Sequence, residues 1–144
     1  LDVKEQVPRP LVVDLLRRTD AFDQALVITY ETEDALWYHE RVPQLMLSVT
    51  AETASTAQTL LDRIDPDRLV GFVGVGAVPE GPMEVFAEHD VRVTVGTFGT
   101  IDREARRRGL VVYHDLFDRG VGIVATDEEA LASQAADTYT PSKN

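Results

Sequence analysis

The sequence contains no cysteine. Disulfide staples, thiolate nucleophiles and cysteine metal ligands are therefore excluded, and the redox compartment is left open. Lysine is almost absent, occurring only as Lys4 and Lys143. The other twelve cations are arginines, and 25 Asp and Glu outweigh all the cations to a net charge of −11. A surface of that sign repels polyphosphate backbones and anionic lipid, so nucleic-acid partners are not expected. No apolar run approaches the roughly 18 residues that span a bilayer, and stable membrane insertion is not expected either. No secretory or lipidation signal is visible, which favours a cytoplasmic location. Dispersed carboxylates with so little lysine also match the style of salt-adapted proteins.

What is present is enough for one domain. The chain has 144 residues, 44% of them apolar, sufficient to build a core. Apolar, β-branched runs recur at residues 1–4, 25–30, 45–50, 69–75, 91–96 and 122–126. They are near-continuous, as in parallel strands covered on both faces, and do not alternate. Helical stretches fall between them, at residues 10–19, 32–42, 52–64, 82–89, 101–108 and 128–136. The first should bury Leu11, Leu15 and Leu16. The strand starts are 20 to 24 residues apart, except for a last gap of about 31. Such a rhythm is a series of βα units. Two architectures accommodate about six of them: a doubly wound parallel sheet, or part of a (β/α)₈ barrel. The domain is expected to occupy residues 1–137, with 138–144 as a flexible tail.

The residues that could carry chemistry come first in the chain. In Leu1-Asp2-Val3-Lys4-Glu5, strand alternation puts Asp2 and Lys4 on one face. At the C-terminal end of a barrel strand that face is the mouth where active sites form. An acid there can hold a divalent cation, and a lysine can hold a phosphate. An ion pair at a solvated strand end is the plainer alternative. Further on, Gly96 and Gly99 permit tight turns, Asp102 is placed to cap the Arg-rich helix, and Thr126-Asp127 to cap the last one. His39, His89 and His114 are expected to be structural, Trp37 and Tyr38 to pack helix against barrel, and Glu80-Gly81-Pro82 to be a turn. Gly74-Val75-Gly76-Ala77-Val78-Pro79 is not a dinucleotide fingerprint, because Pro79 takes the third glycine's place.

Taken in order, several of these segments resemble the glycerophosphodiester phosphodiesterase family. They are the acid-x-Lys of Asp2-Val3-Lys4, the strand Val27-Ile28-Thr29-Tyr30 running into Glu31, and the ending Gly120-Val121-Gly122-Ile123-Val124-Ala125-Thr126-Asp127. The resemblance implies a TIM barrel and hydrolysis of glycerophosphodiesters to glycerol phosphate and an alcohol, a step of lipid and glycerol metabolism. It implies a divalent metal, Mg or Ca, with Asp2 as one ligand and Lys4 stabilising the phosphate. The substrate would be a small-molecule phosphodiester. The family's His-Arg-Gly start, its further metal carboxylates and its catalytic histidines have no counterpart here. The expectation is therefore of two βα units missing ahead of Leu1, with the remaining metal ligands, and of a 144-residue chain inactive by itself. The rival expectation is a non-catalytic α/β binding or regulatory domain.

Overall fold

A computed structural model describes residues 1–4 and 6–141. Five strands form one sheet: β1 (Leu26–Thr29), β2 (Met46–Thr50), β3 (Leu69–Val75), β4 (Arg92–Gly96) and β5 (Ile123–Ala125). Every pairing is parallel and the spatial order is the chain order, β1-β2-β3-β4-β5. A doubly wound sheet reverses its order at a switch point. This one does not, which excludes that alternative and leaves a partial TIM barrel.

The helices are α1 (Arg9–Arg18), α2 (Thr32–Arg41), α3 (Ala54–Leu61), α4 (Glu80–Ala87), α5 (Thr100–Arg108), α6 (Val111–Asp118) and α7 (Glu129–Thr138). Registration of the strands separates two faces. Thr29, Val49, Gly71 and Val93 form one row, and a Cβ on Gly71 would lie 2.3 Å from the ring of Phe86 on α4. That row therefore faces the helices. Val27, Val49, Val73 and Val95 on the same side are almost wholly buried. The opposite, inner face carries Ile28, Ser48, Val70 and then Thr50, Phe72, Thr94 and Ile123, and its larger apolar members Ile28, Phe72 and Ile123 are only half-buried. The register slips between Phe72 and Val75, where Gly74 takes φ 121°, a bulge that a side chain would resist.

Four sequence expectations need correction. The run at 1–4 makes only a single parallel bridge, Asp2 to Ile28, because it is a short edge that turns away when Val7 N donates to Lys4 O at 2.9 Å. On α1 the buried residues are Val12, Val13 and Leu16, whereas Leu11 and Leu15 are exposed. An edge helix has an apolar stripe wide enough for two neighbours and only one to cover it. Glu80-Gly81-Pro82 opens α4 and is not a turn. Proline is tolerated there because first-turn amides lack helical partners, and Gly81 brings α4 close to Ala54 of α3. Finally α6, which the sequence did not announce, follows α5 after one residue pair, with Gly109 at φ 76° breaking the helix. Of the tail, Tyr139 packs on Phe117 and donates to Asp118 at 3.0 Å. Residues 142–144 lie outside the described residues.

Candidate functional site

The bridge to Ile28 sets the orientation of the first residues. Asp2 shares the inner face with Ile28, and Lys4, two residues on, stands level with the residue after β1. The structure brings the two predicted site residues together: Lys4 Nζ lies 2.6 Å from Asp2 Oδ2. A third group, not singled out from the sequence, joins them. Tyr30, immediately after β1, donates from its hydroxyl to Asp2 Oδ1 at 2.9 Å and accepts from Lys4 Nζ at 2.9 Å. The ammonium is 5.2 Å from the Tyr30 ring centroid. It sits off the hydroxyl end of the ring, so the hydrogen bond and not cation–π attraction is the contact.

These contacts set the protonation states. The Lys4 ammonium, then the Tyr30 hydroxyl, hold the Asp2 carboxyl below its ordinary range. The Asp2 carboxylate, then Tyr30, hold Lys4 above its own. Both are charged at neutral pH. Both are also solvent-exposed, so the pair contributes little to stability, and the fold does not need it.

Beside the pair an open groove of about 980 Å³ runs past Lys4, Tyr30, Glu31, Arg9, Asp34 and Tyr38. Arg9 crosses it to Asp34 at 2.7 Å and lies over Trp37, which Arg41 covers too. Trp37 is thus half-buried between two arginines, while Tyr38 is the core residue. The Tyr38 hydroxyl is buried and has no hydrogen-bond partner among the described residues.

At the other end of the sheet the same rim is tied down by a buried acid. Asp102 does not cap α5. Its position is the third of the helix, and the cap is Gly99 at φ 82°. The side chain turns inward instead and is 1% exposed. Its Oδ1 accepts from Thr126 Oγ1 at 2.8 Å and Tyr113 Oη at 3.2 Å, and its Oδ2 from Asp127 N at 2.9 Å. Burial pushes this carboxyl up, but bonds from Thr97, Asp127 N, Thr126 and Tyr113 outweigh it and leave it below the usual range. Thr126 does not cap the last helix either: the cap is Glu128, without a side-chain bond, and Thr126 Oγ1 accepts from Glu128 N at 2.9 Å in the turn that leads into it. His114 is used in packing, with Nε2 3.1 Å from Ala135 O and its ring against Tyr139.

Metal-binding capacity is limited. Among the described residues no group of three His, Cys, Asp or Glu is placed to hold an ion. Asp2 offers one carboxylate, far short of the six to eight oxygens calcium takes. Among the described residues no helix is long and apolar enough to cross a membrane.

Neither a protein-family model nor a curated protein matches the sequence. Among solved structures the chain is similar to a glycerophosphoryl diester phosphodiesterase from Parabacteroides distasonis ATCC 8503. The TM-score is 0.83 at 21% sequence identity, over 100% of this chain and 52% of that one. At that identity the likeness is one of fold. The chain spans about half the length of that structure, which agrees with a sheet that stops short of closing.

Proposed function

We propose that this chain is the C-terminal part of a glycerophosphodiester-hydrolysing barrel, and that Asp2 and Lys4 are its share of the phosphodiester site. The observation that carries the reading is the pairing of a carboxylate and an ammonium on the inner face, at the strand-end rim of a barrel with this structural neighbour. In it, Lys4 neutralises a phosphate oxygen and stabilises the charge that builds up at phosphorus. Asp2 is one hard-oxygen ligand of a divalent cation, Mg or Ca, whose remaining ligands come from outside these 144 residues. Such a cation would polarise the phosphoryl group. The general acid and base are likewise outside, so the chain alone does not turn over.

The experiment is a binding measurement. The chain is labelled at lysine side chains and titrated with glycerol 3-phosphate. The expected result is a response at Lys4, abolished by Lys4→Met. Silence at Lys4 would overturn the reading. A catalytically silent barrel of the same fold would bind the probe and still fail to hydrolyse when the missing units are supplied.

A further inference from the structure

We infer that Tyr30 is a positioning residue for the phosphodiester site, holding Asp2 and Lys4 in one geometry through its hydroxyl. The inference rests on the reading of Asp2 and Lys4 just given.

Two exposed, oppositely charged side chains on flexible stems do not by themselves keep one arrangement, because fixing them costs rotamer entropy that a solvent-screened attraction scarcely offsets. Tyr30 changes this. It comes from the neighbouring strand end, where the parallel bridge Asp2 to Ile28 and the bond from Ile28 N to Leu1 O at 2.8 Å fix the backbone offset. Its side chain has only two rotatable angles and a rigid ring, so it is a stiff prop. Its hydroxyl is used in both senses, as donor to Asp2 Oδ1 and acceptor from Lys4 Nζ. Asp2 then has both oxygens committed, Oδ1 to Tyr30 and Oδ2 to Lys4. The carboxylate cannot rotate freely, and the ammonium is held at the level of the strand ends. A phenylalanine would fill the same space and supply neither bond. Tyr30 is itself 49% exposed, so its hydroxyl is not there to satisfy a buried partner. Its hydroxyl bonds to both members of the pair, and the residue lines the adjoining groove.

The test compares Tyr30→Phe and Tyr30→Leu with the parent chain. One readout is the NMR order parameter of the Lys4 side chain, which does not depend on any ligand. The other is the dissociation constant for glycerol 3-phosphate. Both variants are expected to retain the parent melting temperature and to lose Lys4 order to the same degree. Both should weaken glycerol 3-phosphate binding by about ten-fold, the low end of the scale for one lost hydrogen bond to a charged group. Equal Lys4 order in Tyr30→Phe and the parent would overturn the inference while leaving the site reading intact. Loss of order only in Tyr30→Leu would overturn the assignment to the hydroxyl. If order falls in both variants but the parent does not bind glycerol 3-phosphate, the positioning stands and the proposed function falls.

Discussion

Removing the buried carboxylate of Asp102 should loosen the rim of the sheet more than its single charge suggests. Asp102→Ala strips Thr126, Tyr113 and Asp127 N of a common acceptor. The two hydroxyls can turn to each other, since their oxygens are already 3.0 Å apart. The Asp127 amide cannot turn to another partner and is left to water, since Asp127 is exposed. Hydrogen bonds to a charged group add roughly 1.5–3 kcal/mol each, offset in part by no longer burying a carboxylate. A net loss of about 3 kcal/mol is expected at pH 7, a large part of the ~5–15 kcal/mol typical of a domain. Asp102→Asn should lose less, about 1 kcal/mol, because a flipped amide still accepts from Asp127 N. The assay is urea denaturation followed by far-UV circular dichroism across pH. The folded carboxyl titrates below its unfolded value. Its contribution is therefore complete above the unfolded pKa of about 3.9 and disappears as pH falls through the lower, folded value. The gap between parent and Asp102→Ala should stay open from pH 7 to about 4 and close below it. Equal urea midpoints at pH 7, or a gap that persists unchanged in acid, would refute the reasoning.

Four further outcomes are expected. Gly71→Ala would drive a methyl into the fully buried Phe86 ring, lowering stability by about 1–3 kcal/mol in chemical denaturation; no change would mean that α4 can step back from the sheet. Tyr38→Phe removes a buried hydroxyl without a partner among the described residues and should raise stability by about 1 kcal/mol, checked by the same denaturation. The 144-residue chain should release no glycerol phosphate from a glycerophosphodiester in the presence of magnesium or calcium, and measured hydrolysis would contradict that. With a net charge of −11, the chain should stay folded and soluble in molar salt, where its self-repulsion is screened; aggregation there would count against salt adaptation.

The parts of the fold that were legible in the sequence are those where burial on both faces leaves a contiguous apolar run. Leu69–Val75 was read at its observed limits, and the other four sheet strands to within one residue at each end. Where one face or one neighbour is missing, the reading weakened. Residues 1–4 look apolar enough for a strand but have only a single bridge to make. On α1 Leu16 is buried as read, but Leu11 and Leu15 are exposed for the same reason, and Val12 and Val13 take their place. The α6 helix was hidden because Leu110 caps it without a side-chain bond and Val111-Val112 favours strand over helix. At the candidate site, alternation sufficed to place Asp2 and Lys4 together. Tyr30 was not legible, since its role depends on the parallel offset between two segments that sequence spacing does not specify. Asp102 was misassigned because a short acid near a helix start usually caps it, and only the loop after β5 brings Thr126 and Asp127 within reach.

The chain-order succession of strands also bears on how the molecule comes apart. Within the sheet, among the described residues, each strand pairs with its neighbours in chain order, so each βα unit behaves as a link in a one-dimensional array. Stability in such an array is close to a sum over units and the junctions between neighbours. Trimming a unit from either end should therefore cost one junction and leave the remainder folded, whereas excising β3 with α4 should cost two junctions and force strands to pair that have never met. The same arithmetic applies in reverse: a unit added at the β5 edge has one ready junction to form, whereas at the β1 edge the Asp2–Ile28 bridge already occupies the place.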